Sequence, residues 1–479
     1  MKNVRFCKIH NSRIFMKKYI GDKAFYKSVL LIAMPIMIQN GITNFVGMLD
    51  NIMIGQVGTV QMTGVAVANQ LMFVFNLCIF GAISGAGIFT AQYYGTKDTE
   101  GVRYTLRFKV YICIFLAVMG MLLFWFFGDQ LIQLYLNGEG SAEDAALSLK
   151  YGRHYMNIML VGLLPFALSQ AYAGTLRETD ETVLPMKAGI IAVFVNLVLN
   201  YILIFGHFGA PKMGVAGAAV ATVISRFAEL LVIYVGAHKR IERFPYLKGL
   251  WKSFYIPGNL FWKIGNIALL LMLNETLWAG GVAMQSQCYS LRGLNVVAAI
   301  NIQSTLWNVF SVSLQAMGNA IGIMVGQILG KGEVEHAKDT DRKLLAFTVV
   351  TSLGFAILLG IASRLFPQMY NTTKDVRNLA AALIMINAIL MPMEAYLCGA
   401  YFTMRAGGKT LVTFFFDAGF MWVVTIPLAY VLSRYTTMPI ITLFFCCQGA
   451  NAVKAVIGFF MLKKGMWIQT LVGKPQLQE

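Results

Sequence analysis

Long apolar runs alternate along this chain with short charged or Gly/Pro-rich breaks. Twelve runs stand near residues 28–50, 63–92, 104–127, 152–175, 183–206, 214–236, 258–286, 294–328, 343–363, 378–403, 409–432 and 439–462. About 20 mainly apolar residues suffice for a helix to cross a bilayer. Each run is too long for a barrel strand, which needs about ten alternating residues. The pattern predicts an all-α polytopic membrane protein of 12 transmembrane helices. Pro35 in the first run and Pro165 in the fourth predict bends there.

Composition agrees and removes other classes. The chain of 479 residues is 57% hydrophobic and 13% charged, against about 25% charged in soluble proteins. A soluble multidomain enzyme and a disordered chain are both excluded. The net charge of +17 would suit a nucleic-acid partner, but its placement points elsewhere. Of the 39 Lys and Arg residues, 29 fall on alternate, same-side loops and tails, eight on the other side, and Arg226 and Lys454 within spans. The positive-inside rule then puts both termini in the cytoplasm of a multi-pass inner (plasma) membrane protein. The basic charge reflects topology and attraction to anionic lipid, with the bilayer as partner and no nucleic acid. The first span comes late and lacks a small-residue cleavage site, so no cleavable signal is expected. Cys7, Cys78, Cys113, Cys288, Cys398, Cys446 and Cys447 show no metal or disulfide spacing, and His10, His154, His207, His238 and His336 are scattered away from span centres.

The chain also repeats. Ala91-Gln92-Tyr93-Tyr94-Gly95 ends the second span and Gly326-Gln327-Ile328-Leu329-Gly330 the eighth; a shift of 235 superposes them, together with Phe75 on Phe310 and Gly87 on Gly322. Thr175-Leu176-Arg177 matches Thr403-Met404-Arg405, and Thr182 matches Thr410, at a shift of 228. Two pseudo-symmetric six-helix bundles follow, in parallel orientation. The expected organisation is a tail over 1–27, an N-lobe over 28–240, a linker over 241–257, a C-lobe over 258–462 and a tail over 463–479. Such repeats mark secondary transporters, whose sites lie between the halves.

Of the 22 acidic residues, five fall within spans: Asp50, Glu229, Glu275, Glu394 and Asp417. An intramembrane carboxylate costs roughly 2.5–3.5 kcal/mol on insertion scales and faces a cavity or a partner. Glu229 follows Arg226 by three residues, so an ion pair is expected. Asp417 has Lys409 and Arg405 towards one membrane face, which leaves local pairing and a cavity role equally open. Asp50, Glu275 and Glu394 have no basic neighbour in sequence, which makes them the functional candidates. Such groups can hold a proton, a sodium ion or a cationic cargo, and competition among these is enough for antiport. Asn196 and Asn200 share one face of the fifth span and can coordinate a cation, bind cargo or bond a neighbouring helix. The 27 Met and the 61 aromatic residues suit adaptable, cation-attracting cavity walls.

These residues resemble a known family, the multidrug and toxic compound extrusion (MATE) transporters of the bacterial NorM-like type. The resemblance covers nearly the whole chain. It rests on Pro35 followed by Asp50-Asn51-Ile52-Met53-Ile54-Gly55, on Ala91-Gln92-Tyr93-Tyr94-Gly95, and on Leu176-Arg177-Glu178-Thr179-Asp180-Glu181-Thr182 with Pro185-Met186. Most specific are Asn196 through Gly206 and Gly214-Val215-Ala216-Gly217-Ala218-Ala219. It implies two six-helix bundles about a V-shaped cleft. It also implies alternating access and export of organic-cation or amphipathic drugs in antiport with Na+ or H+. Asp50 and Asn196 resemble the N-lobe polar site, and Glu275 and Glu394 the acidic positions of helices 7 and 10. Asn200 stands where some members have aspartate, and Leu390 where some sodium-coupled members have tyrosine. Both ions stay open, with a lean to sodium at Glu275 and Glu394, whose pairing resembles the sodium-linked C-lobe arrangement.

A flippase for a lipid-linked saccharide is the alternative. Two intramembrane cations against five acids disfavour its anionic cargo. No catalytic constellation of an intramembrane enzyme, no GxxxxGK[ST] nucleotide loop and no pore-loop motif occur in the chain. No cofactor beyond the coupling ion is expected, and a monomer suffices for the cycle.

Overall fold

The structure, a computed structural model, describes residues 19–136 and 142–472. Cys7, His10 and the outer parts of both tails lie outside the described residues. The helices are α1 Lys23–Gly55, α2 Thr59–Gly95, α3 Thr99–Leu136, α4 Ala142–Val161, α5 Leu163–Glu178, α6 Val183–Phe205 and α7 Val215–His238. They continue with α8 Gly258–Ser290, α9 Leu294–Gly330, α10 Val334–Leu365 and α11 Lys374–Ala406. The last two are α12 Thr410–Tyr435 and α13 Ile440–Lys463. No strand occurs among the described residues.

Eleven of these helices are long and apolar enough to cross a membrane, and α4 with α5, a pair bent by 49°, passes the same test taken together. The expected all-α polytopic fold is therefore present. The bend in the fourth span falls at Gly162, not at Pro165. Pro165 occupies the first turn of α5, where its missing N–H has no intrahelical partner to lose. α1 and α11 continue as helices through Pro35 and Pro392. α12 carries two π turns, Phe415–Gly419 and Met421–Thr425.

The helices outrun the apolar runs. The turns between α2 and α3 and between α9 and α10 are only three residues long. Asp98 starts α3 by accepting a bond from the Gly101 N–H at 2.9 Å. Lys109, Glu178 and Asp341, which read as loop charges, thus lie within helices. Lys109 and Asp341 are buried there.

The chain forms two compact units. One holds residues up to Met37, Ala91–Lys97 and Leu277 onward; the other holds Ile38–Thr90 and Asp98–Thr276. The boundaries fall inside α1, α2 and α8. In the first unit, α9, α10 and α11 pack together, and Ala33 of α1 shares a buried cluster with Ala316 and Ala320 of α9. In the second, α6 packs along α7, and α3, α4 and α5 pack against one another. Here Gly81 and Gly85, one turn apart on α2, meet the backbone of α8 at Met272 and Ala268. A Cβ on Gly81 would stand 2.6 Å from Met272 Cα. Adding 235 to 81 and 85 gives 316 and 320, and subtracting it from 268 gives 33. The two units therefore contain the same small-residue helix crossing.

A second crossing lies within the first unit. The end of α2 meets the end of α9 with backbone against backbone. A Cβ on Gly95 would strike Gln327, and one on Gly330 would strike Gln92. These are the residues that the 235 shift superposes, so the repeat marks a self-complementary contact like that of a two-fold dimer. Gln92 is fully buried. Its Oε1 accepts from the Leu471 N–H at 2.8 Å and its Nε2 donates to the Gln469 carbonyl at 3.3 Å, which fastens the C-terminal segment across the crossing.

Gly85→Ala and Gly330→Ala are expected to lower thermal stability in detergent, at about the 1–3 kcal/mol typical of overpacking. Gly265→Ala on α8, where an added Cβ meets nothing, should leave it unchanged. Equal melting midpoints for all three would mean that neither crossing is tight.

Candidate functional site

In the second unit, α1, α6 and α7 bring together Asp50, Asn196, Asn200 and Thr222. Asn200 Nδ2 donates to Asp50 Oδ1 at 2.7 Å. It also lies 3.2 Å from the Asn196 side-chain amide. That amide sits between Thr222 Oγ1 at 3.2 Å and the Asp50 carboxylate, 3.0 and 3.1 Å from its two oxygens. Both asparagines are buried. Asn200 Oδ1 is a buried acceptor that no donor among the described residues reaches. Tyr155 of α4, not anticipated from sequence, is an electrostatic neighbour of Asp50 and donates to Asn69 Oδ1 at 3.2 Å.

With its nitrogen towards Asp50, Asn196 satisfies both ends of its amide: it donates to the carboxylate and accepts from Thr222 Oγ1.

The first unit gathers Glu394 of α11, Asp417 of α12 and two residues of α13. Asn451 Nδ2 donates to Glu394 Oε1 at 2.9 Å, and Lys454 Nζ donates to Asp417 Oδ1 at 2.8 Å. Lys454 and Asp417 are both electrostatic neighbours of Glu394, and the ammonium lies 5.0 Å from the centre of the Phe416 ring. Asp417 sits in the first π turn of α12, a distortion frequent at functional positions. Asn451 was not singled out by sequence reasoning. Its i,i+3 spacing to Lys454 on one helix face was the available signal.

Glu275 is buried on α8 next to the fully buried Asn274. It belongs to the second unit and Glu394 to the first. Among the described residues, no three His, Cys, Asp or Glu side chains gather as a metal site.

The remaining span charges are held structurally. The expected Arg226–Glu229 ion pair does not form within 4 Å, although the two are electrostatic neighbours and Glu229 also neighbours Arg177. Arg226 turns instead to the helix break. It donates to the Gly162 carbonyl at 3.2 Å and lies 4.9 Å from the Phe166 ring centre. The link between α5 and α6 is tied by charge: Lys109 pairs with Glu178 and donates to Thr175 Oγ1 at 3.0 Å. Arg177 donates to Gln39 at 2.9 Å, and Glu181 pairs with Arg243 at 2.9 Å while accepting from the Leu184 N–H at 3.0 Å. In the first unit, Thr403, which the repeat superposes on Thr175, donates to the buried Asp341 at 2.5 Å.

The sequence pattern of the MatE family matches residues 35–202 and 271–431. "Probable multidrug resistance protein NorM" of Thermotoga maritima is 27% identical over 421 residues, covering 85% of this chain and 86% of the relative. "Probable multidrug resistance protein YoeA" of Bacillus subtilis is 26% identical over 440 residues, covering 90% and 92%. Among solved structures, MATE in the straight conformation aligns with a TM-score of 0.81 at 17% identity, over 94% of this chain and 97% of that one. An outward-facing multidrug resistance MATE family transporter of the MOP superfamily aligns with a TM-score of 0.80 at 17% identity, over the same shares.

Lys109→Met is expected to destabilise the protein by about 1–3 kcal/mol, because it removes the fully buried ammonium that pairs with Glu178 and donates to Thr175. Adding Glu178→Gln should recover part of that loss. Chemical unfolding in detergent reads both, and a single variant as stable as the parent would contradict the pairing.

Proposed function

We propose that this chain, which belongs to the MatE family, is a multidrug efflux transporter. It exports organic-cation or amphipathic compounds in antiport with Na+ or H+ by alternating access, with both termini cytoplasmic and a monomer as the working unit. The names of the relatives support the drug cargo, and the excess of Lys and Arg on one set of loops supports the orientation.

The observation that carries the coupling is the setting of Asp50. The hydrogen-bond partners described for its carboxylate are neutral amides, and the Asn200 oxygen beside it lacks a donor. An entering proton or sodium ion therefore meets an uncompensated charge and a spare oxygen ligand.

The cluster of Glu394 and Asp417 differs, because Lys454 already supplies a cation there. This moves the coupling assignment from the sodium lean at Glu275 and Glu394 to Asp50. In this reading Glu394, Asp417 and Glu275 bias the field for cationic cargo.

In proteoliposomes, ethidium movement driven by an imposed sodium gradient or pH gradient should fall to background in Asp50→Asn. Glu394→Gln should retain a driven component. The gradient that drives the parent identifies the ion. Wild-type exchange in Asp50→Asn would overturn the coupling assignment, and no movement of any tested cation under either gradient would overturn the antiport reading.

A further inference from the structure

The second unit holds a cavity of about 400 Å³ away from the carboxylate site, between the first turns of α3 and the segment before α8. Its construction begins with one stripe of α3. Arg103, Arg107 and Tyr111 recur every four residues and all donate to backbone carbonyls of that segment. Arg103 Nε bonds the Tyr246 carbonyl at 3.2 Å. Arg107 reaches three: Leu250 at 2.9 Å, Tyr255 at 2.9 Å and Gly249 at 3.2 Å. Tyr111 bonds the Phe254 carbonyl at 2.8 Å. Gly249, at φ +72°, allows the chain to turn these carbonyls inward.

The segment is thereby pinned with Lys248 and Lys252 exposed on the rim. Neither lysine belongs to an ion pair among the described residues. The lining carries four cations, Arg103, Arg107, Lys248 and Lys252, against one carboxylate, Glu100. That carboxylate is engaged, accepting from the Tyr104 hydroxyl at 2.6 Å. The cavity is therefore net positive and offers ammonium donors to an anion.

Its neighbours fix the kind of anion. Trp251, Phe254 and Tyr255 in the same segment and Trp262 at the start of α8 are all exposed, Trp262 by 69%. Aromatic rings gather at the depth of lipid headgroups, and α3 turns apolar from Val110 onward. We propose that this cavity binds the phosphate of an acidic phospholipid headgroup. Lys248 and Lys252 hold the phosphate, and the acyl chains run down past the exposed aromatic residues. The site rests on the membrane reading of the fold and is independent of the cargo and of the coupling ion.

The test uses the full chain in detergent, titrated with phosphatidylglycerol and followed by native mass spectrometry. The parent should retain one phosphatidylglycerol about thirtyfold more tightly than K248Q/K252Q, given the contribution of each lysine near an anionic headgroup. K248R/K252R should retain it like the parent. Phosphatidylcholine should bind all three proteins equally weakly. Equal phosphatidylglycerol retention by the parent and K248Q/K252Q overturns the proposal, as does failure of K248R/K252R to hold the lipid. Displacement of the lipid by equimolar inorganic phosphate would overturn the lipid source and leave a free-phosphate site.

Discussion

Close approach of helix backbones organises this molecule. Among lipid tails, two apolar helices gain little by leaving lipid for each other, so packing at short distance must supply the attraction. Glycine and alanine at the α2–α8 and α1–α9 crossings permit that distance. The crossing of α2 with α9 goes further, because each helix presents the same Gln and Gly to the other. A larger residue at Gly95 or Gly330 would meet backbone, which cannot rotate aside as a side chain can.

The polar groups then follow two rules. Within the helices some charges are paired, as Lys109 is with Glu178 and Asp417 is with Lys454. At Asp50 the surrounding groups are neutral donors and acceptors that can reorient. The first arrangement resists a change of charge because every such change strands a partner. The second tolerates it, since an amide presents a donor or an acceptor by a half turn. In the proposed coupling, that contrast sets Asp50 apart from the paired carboxylates.

Much of this was legible in the sequence. The apolar runs gave the spans because lipid imposes a length on them, and the 235 shift exposed a repeat that proved to be a physical contact. Helical spacing put Asn196 and Asn200 on one face, and the family resemblance, not spacing, implied that Asp50 joins Asn196. Pairing between distant spans was hidden. Glu394 with Asn451, and Asp417 with Lys454, join helices whose relative rotation no local pattern encodes. Lys109 and Asp341 were misplaced because hydropathy ends where the lipid ends, whereas the helices continue beyond it. Arg226 went to the Gly162 carbonyl because a helix break frees an acceptor that sequence spacing does not reveal.

The arrangement of the first unit also bears on biosynthesis. The start of α1 packs on Ala316 and Ala320 of α9, and the Leu471 N–H that Gln92 fastens lies 379 residues after it in sequence. At translation rates of roughly 5–20 residues per second, α1 is in the membrane for roughly 15–60 s before its partner is made. During that interval its small-residue face is open to lipid or to other newly inserted helices. Slow elongation would prolong this exposure, and the contact at Gln92 closes only when Leu471 has left the ribosome.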